Sequence, residues 1–439
     1  MNIKDIIKIT CGKLLKSTDI EEFNKIKIDS RDIKENDIFL TVNTGYKYID
    51  NAIDNGATLI ITDSDIKIKK DVNIIKVEDS IKTLYRLADY IRTKYDPIVI
   101  AITGSAGKTT TKEMLYELLK DNYNVIKNEG NENNHIGVPK TLFKIDSSTD
   151  IVITELGTNN EGEIEHLSTL VRPDISIITN IGTSHIGNLG SKEKIFKEKF
   201  KIITGMKSGI LILNQDDKYL KNINYLKDIN VYKVGTNKSS NIVVYNLKKK
   251  GIISAEVYIK DKLYNIKAIS IPFLINYLLA LQTALLFDID IDKGINILND
   301  YKSVNNRMEI IKLKNTTIYS DCYNASLESF KNVLDIIKKE QKSKVLILGD
   351  ILELGKYSKQ IHKEIGKKIR SIKKCQIIIV GEYVKYIKKY NQTRTIWCSN
   401  NEEIKECLSI LDLENKLILI KGSHGMHLDE ITKYIKENK

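Results

Sequence analysis

The chain has 439 residues, 42% of them hydrophobic and 29% charged. That length exceeds what one hydrophobic core sustains, so about three domains are expected, and that composition excludes a largely disordered chain. The formal charge of +12 comes from lysines scattered among isoleucines and asparagines, a solvated surface rather than the basic cluster of a non-catalytic nucleic-acid-binding protein. Cys11, Cys322, Cys375, Cys398 and Cys407 contain no CxxC pair, which argues against a disulfide framework or a zinc site and for a reducing compartment. The N-terminus lacks an apolar signal core. The longest oily stretch, Ile271 to Phe287, is interrupted by Asn276, Gln282 and Thr283, so no membrane insertion is predicted and a cytoplasmic location is expected.

Along the chain, short apolar runs at Ile38 to Val42, Thr58 to Thr62 and Asn73 to Val77 alternate with helical stretches and end in the amphipathic segment Ser80 to Arg92. They predict a small α/β domain over 1–94. Asp96-Pro97 then breaks the helix and opens the run Ile98-Val99-Ile100-Ala101-Ile102. Over 95–306 the runs Ile151 to Thr154, Ile175 to Thr179 and Gly209 to Leu213 are nearly continuous and apolar, as in a parallel sheet covered on both faces. The rhythm returns at Thr316 to Ser320, Val345 to Leu348, Ile377 to Val380 and Leu417 to Ile420, predicting a further α/β domain over 307–439.

Between the run at Ile98 and the next helix lies Thr103-Gly104-Ser105-Ala106-Gly107-Lys108-Thr109-Thr110. Strand, glycine loop and helix in this order make a phosphate site. The glycines let backbone N–H groups converge on anionic oxygens, the helix presents its positive end, Lys108 adds a charge and Thr109 a hydroxyl for magnesium. The loop specifies nucleotide handling only, and does not separate a ligase from a kinase, a GTPase or a motor. Glu155 ends the strand at Ile151, placing a carboxylate at the sheet edge where ligands bind. His185 follows the next strand in Thr179-Asn180-Ile181-Gly182-Thr183-Ser184-His185, and Lys199 lies 14 residues on, in a helix expected to begin at Ser191. Taken singly, His185 reads as a hydrogen-bonded loop residue, and Lys197, Lys199 and Lys201 as surface lysines.

Together, the shortened loop, Thr-Glu-Leu-Gly at 154–157, the segment ending at His185 and the later lysine resemble the Mur ligase family. That resemblance implies a central P-loop ATPase sheet flanked by a small N-terminal α/β domain and a C-terminal Rossmann-like α/β domain. It implies an ATP-dependent ligase joining an amino group to a carboxylate, with ATP and Mg2+ as cofactors. Gly104 to Thr110 would bind ATP, Lys108 and Thr109 holding its phosphates and the metal. Thr109, Glu155, His185 and Lys199 would be metal ligands, Lys199 as a carbamate made from CO2; Lys108, His185 and Lys199 would serve catalysis. Asn276 matches the adenine-contacting Asn, although Pro272-Phe273 stand where a His-Asn pair is usual. Asn305-Asn306-Arg307-Met308-Glu309 resembles the junction segment, making Arg307 an ATP contact, and Asp321 at a strand end would complete the nucleotide site.

Within the family, Asn131-Glu132-Asn133-Asn134-His135-Ile136-Gly137 resembles the Asn-rich loop of the branch that adds D-alanyl-D-alanine to UDP-N-acetylmuramoyl-tripeptide; on residue types alone a polar turn is the lesser alternative. Tyr323-Asn324-Ala325, the segment Leu348 to Gly355 and the segment Ile420 to Met426 resemble the same branch. By that likeness Asn131, Asn133, Asn134, Tyr323, Asn324, Asp350, Lys421 and Ser423 are candidate substrate contacts, with Leu354 and His362 shaping the acceptor site. Ser30 and Arg31 are candidates for the nucleotide-sugar, and equally an ordinary turn. The family's Asp-Gly-His-x-Phe segment is reduced to Thr44-Gly45-Tyr46-Lys47-Tyr48, which keeps open a ligase joining a different amine and carboxylate. A monomer is expected.

Overall fold

A computed structural model describes residues 1–438 apart from 66, 238–239, 249–252, 260–261 and 302–306. The N-terminal sheet has the order Lys13–Lys16, Asn73–Lys76, Ala57–Thr62, Asp37–Leu40, Ile26–Lys27, with only the first pairing antiparallel. The following helix, Ser80–Tyr95, starts at the Asp79 cap and stops at Asp96, whose positive φ of 44° precedes Pro97. Arg92, buried on that helix, donates from Nε to the Val171 carbonyl at 2.8 Å and from Nη2 to the Arg172 carbonyl at 3.2 Å. The helix is thereby clamped to the next layer of the chain.

The central sheet is wholly parallel, in the order Ile229–Val234, Gly209–Asn214, Ile175–Ile178, Ile98–Thr103, Ile151–Glu155, Val125–Lys127. Its continuous apolar strands are buried on both faces, the composition that suits a sheet covered by helices. The strand Ile98–Thr103 pairs on one side with Ile175–Ile178 and on the other with Ile151–Glu155, in register Thr103 to Ile178 and Ile102 to Glu155. Three carboxyl ends therefore meet at one edge and deliver Gly104, Thr179-Asn180 and Glu155 side by side.

A three-stranded antiparallel sheet, Val244–Lys248, Ile253–Ile259 and Lys262–Ala268, has no counterpart in the sequence reading. Its lysine-rich strands bury only alternate residues, such as Ile253, Ala255, Val257 and Ile259, against the helix Ile271–Ala284. That helix is buried nearly all round, which accounts for its apolar length. No helix of the described residues is long and apolar enough to cross a membrane.

The C-terminal sheet runs Glu309–Leu313, Thr316–Asp321, Leu417–Lys421, Lys344–Gly349, Cys375–Val380, Thr395–Cys398, parallel after the first pairing. Residues 305–306 of the quoted junction segment lie outside the described residues, and Arg307 to Glu309 lead into its edge strand. Cys375, Cys398 and Cys322 are buried, whereas Cys11 is exposed. Burial pushes the Cys375 thiol up to about 11, and burial with the neighbouring Cys407 thiol pushes Cys398 up to about 12. A thiol stays protonated and unreactive below its pKa. Iodoacetamide at pH 8 is thus expected to modify Cys11 and spare Cys375 and Cys398 in the native protein, the two becoming reactive in denaturant; peptide mass mapping checks this.

Candidate active site

The glycine loop takes its shape from backbone freedom and from the strand beside it. Gly104 and Gly107 have φ of 150° and 86°. A Cβ on Gly104 would lie 1.9 Å from Thr179 Oγ1, and one on Gly107 would lie 2.4 Å from Asn276 Oδ1, so both positions exclude any side chain. Ser105 N donates to the Asn180 carbonyl and Ala106 N to Asn180 Oδ1, each at 3.0 Å. Thr179 Oγ1 and Asn180 Nδ2 return bonds to the Ala106 carbonyl at 2.6 and 2.8 Å. These bonds tie the loop to the neighbouring strand end, and the helix Lys108–Leu119 points its N-terminus at the space above it.

Lys108 Nζ donates to the Gly104 carbonyl at 2.8 Å and makes no ion pair with a carboxylate among the described residues. Burial lowers its pKa; Glu155 opposes that shift and Arg307 adds to it. Glu155 is 1% exposed. Its backbone N–H donates to Asn128 Oδ1 at 2.9 Å, and its buried Oε1 accepts no hydrogen bond among the described residues. Lys112 Nζ stands 3.5 Å from that oxygen and donates to the Asn128 carbonyl at 2.6 Å. Sequence reasoning missed Lys112; its place one helical turn after Lys108, on the same face, was the available signal.

His185 adopts a left-handed conformation, φ 60°, and its Nδ1 lies 2.6 Å from Glu353 Oε2 of the C-terminal domain. The hydrogen bond from His185 holds the Glu353 carboxyl below its usual range. Lys199, on the helix Lys192–Phe200 that Ser191 caps, is 1% exposed, correcting the surface reading drawn from residue type alone. Lys197 is exposed, and Lys201 pairs with Glu165 at 3.1 Å. Burial first, and the charge of Lys108 second, place the Lys199 pKa well below its ordinary value, against the pull of Glu198. These surroundings disfavour the charged form of the Lys199 amine.

A cleft of about 680 Å³ opens over the loop between the central and C-terminal domains. Its floor is Ser105 to Thr110 with Glu155, His185 and Asn276, and Asn131, Asn133 and Asn134 form one rim. From the C-terminal side it receives Arg307, Asp321, Tyr323, Asn324, Leu354 and Ser423. Arg307 stacks on the Tyr323 ring at 3.8 Å, which directs the guanidinium without neutralising it. Asn134 Oδ1 accepts from Ile136 N and Gly137 N at 3.1 and 2.9 Å, just ahead of the helix Gly137–Leu142.

Other expected contacts lie outside the cleft. The Asp350 carboxylate accepts from the backbone N–H groups of Glu382, Tyr383 and Val384 at 2.7–2.9 Å, leaving it to shape a turn rather than a ligand site. Lys421 is fully buried, donating to Asp321 Oδ2 at 2.6 Å, so it orients a cleft carboxylate instead of reaching the cleft itself. His362 is buried and neutral: its Nε2 accepts from Ile351 N at 3.1 Å while Nδ1 faces the Ser358 carbonyl at 2.8 Å. Both bonds hold together only with the proton on Nδ1. In the N-terminal domain, exposed Arg31 forks onto Asp29 at 2.9 and 2.6 Å, lowering the Asp29 carboxyl to about 2, and the Ser30 carbonyl accepts from Asn55. A 3.7 Å pair of Asp32 with Lys140 joins this turn to the helix that follows the Asn-rich rim.

Comparison with known proteins agrees with this architecture. Residues 102–284 match the model of the Mur ligase middle domain, and residues 306–424 that of the Mur ligase, glutamate ligase domain. The UDP-N-acetylmuramoyl-tripeptide--D-alanyl-D-alanine ligase of Rickettsia prowazekii is 34% identical, the alignment covering 94% of this chain and 95% of that one. The ligase of the same name from Bacillus subtilis is 30% identical, over 94% and 93%. Among solved structures, MurF from Acinetobacter baumannii superposes with a TM-score of 0.89 at 24% identity, covering 100% of this chain and 99% of that one. MurF from Thermotoga maritima in complex with ADP gives 0.80 at 27% identity, over 94% and 97%. With a phosphate loop, a buried carboxylate and a buried amine gathered under a second α/β domain, and with these relatives along its length, the chain belongs to the Mur ligase family, in its MurF branch.

Proposed function

We propose that this chain joins D-alanyl-D-alanine to UDP-N-acetylmuramoyl-tripeptide with hydrolysis of ATP, in the synthesis of peptidoglycan precursors in the cytoplasm. The observation that carries the proposal is the cleft itself. It sets a nucleotide loop beside an Asn-rich rim on one side and Arg307, Asp321, Tyr323 and Asn324 on the other. The loop N–H groups and Lys108 grip the phosphates of ATP; Asn276 and Arg307 hold the rest of the nucleotide. The rim asparagines both donate to and accept from the peptide. Transfer of the γ-phosphoryl group to the terminal carboxylate gives an acyl phosphate, which the amine of the dipeptide attacks as phosphate departs. The protein's work in both steps is to align the partners and balance charge.

Magnesium fits the residues present. Buried Glu155, whose Oε1 faces Lys112 Nζ at 3.5 Å but accepts no hydrogen bond among the described residues, the Thr109 hydroxyl and the His185 imidazole, once released from Glu353, form a donor set dominated by hard oxygens. When bound, the ion would neutralise charge on the phosphate oxygens. Lys199 suits carbamylation because burial and the charge of Lys108 disfavour its ammonium form, and a carbamate there would offer an anionic oxygen ligand.

The test is phosphate release from ATP with purified protein, magnesium and bicarbonate, over a matrix of nucleotide-peptides and amino acceptors. Product is expected with a muramoyl tripeptide and D-alanyl-D-alanine. Product with another acceptor and none with this dipeptide overturns the substrate assignment and leaves the ligase. Native mass spectrometry in bicarbonate is expected to show one added CO2, absent from a Lys199→Ala protein.

A further inference from the structure

The segment Gly182 to Lys192 belongs to the central domain but touches two things at once. Inward, it buttresses the phosphate loop: Gly182 N donates to Ser105 Oγ at 2.8 Å and Ser184 Oγ to the Ser105 carbonyl at 2.9 Å. Outward, the residue between them, Thr183, gives both its N–H (3.0 Å) and its hydroxyl (2.7 Å) to Oε2 of Glu328 in the C-terminal domain. The other carboxylate oxygen of Glu328 takes Lys192 Nζ at 3.0 Å. Glu328 stands in the first turn of the helix Leu327–Lys339, which Ser326 and Ser329 cap reciprocally, so the helix end favours its charge and fixes its position. Around this clasp, Gly187 N donates to the Glu353 carbonyl at 3.0 Å and the Tyr357 hydroxyl to the Gly190 carbonyl at 2.6 Å.

We infer that Glu328 is a positioning residue that couples the seating of the C-terminal domain to the geometry of the phosphate loop. The inference rests on the ligase reading. Nucleotide binding draws on loop N–H groups and a helix end that the central domain supplies alone. Transfer requires the loop and the C-terminal groups Arg307 and Asp321 in one arrangement, and Glu328 joins the two through a single residue, Thr183. A misplacement of about 1 Å there is costly to rate and not to affinity.

The experiment compares wild type, Glu328→Ala, Glu328→Gln and Thr183→Val by steady-state turnover and by calorimetric ADP binding. Glu328→Ala is expected to lower kcat about 30-fold, the worth of its charge-assisted bonds. Its ADP affinity stays within about threefold of wild type, since the loop donors are intact. Glu328→Gln keeps an acceptor for Thr183 and should recover to within about fivefold of wild type, having lost only the Lys192 pair. Thr183→Val, which removes the hydroxyl's bond to Glu328 Oε2 and the one it accepts from Leu327 N, lowers kcat without lowering ADP affinity and carries the test if Glu328→Ala fails to fold. Turnover of Thr183→Val and any folded Glu328→Ala within threefold of wild type, a loss of ADP affinity matching the loss of kcat, or no recovery in Glu328→Gln overturns the inference. Absence of product from the wild type overturns the ligase reading instead.

Discussion

Replacing Lys108 by alanine is expected to lower kcat by about 100- to 1000-fold, the usual consequence of removing one preorganised charge from a site of charge transfer. Lys108 is the loop's own cation, free of any carboxylate partner among the described residues and held toward the loop by the Gly104 carbonyl. Its depressed pKa reflects burial, with Arg307 adding to the shift and Glu155 opposing it, and the phosphates of ATP would supply further negative charge. Initial rates of phosphate release with saturating substrates measure the effect, and circular dichroism confirms that the fold persists. Full turnover by this variant would remove both the ligase reading and the assignment of the loop.

Lys421→Met is expected to destabilise the C-terminal domain by about 3–5 kcal/mol, because it strands a largely buried Asp321 carboxylate. The thermal midpoint of that domain should fall by about 10 °C. The ammonium also lies 5.1 Å over the Phe330 ring, so the methionine keeps the packing while losing the charge. Asp321→Asn in the Lys421→Met background removes the orphaned charge and should restore part of the lost stability, so the two changes together cost less than their sum. Scanning calorimetry of the four proteins decides it; strict additivity would mean that the pair does not hold the domain.

Much of the scaffold was legible because it obeys local rules. Runs such as Ile151 to Thr154 and Leu417 to Ile420 are apolar on both faces, a pattern that only a strand inside a covered sheet tolerates. The antiparallel strands from Val244 to Ala268 were not legible. Their outward faces carry lysine, tyrosine and asparagine, so alternation is blurred where half of each strand meets solvent. Residue type alone also misplaced Lys199: a lysine in a lysine-rich helix looks exposed, and its burial depends on what packs over the helix. Lys112, Glu328 and Glu353 escaped notice because each acts through a partner distant in sequence, at Glu155, Thr183 and His185.

The sequence by itself determined the phosphate loop, since positive φ at Gly104 and Gly107 and a strand and helix on the proper sides are properties of a dozen contiguous residues. It also determined that two α/β sheets follow a smaller one, because burial on both faces is written into composition. Only the tertiary structure decided which polar groups face the cleft and which are occupied elsewhere. Asp350 and Lys421 sit in segments of the right kind, yet one carboxylate is saturated by backbone N–H groups and the other group's ammonium by Asp321. A buried polar group goes to whichever partner the fold brings near, and that choice lies in three dimensions. The shape of the loop is set by its own sequence; what faces it depends on which domain packs above it.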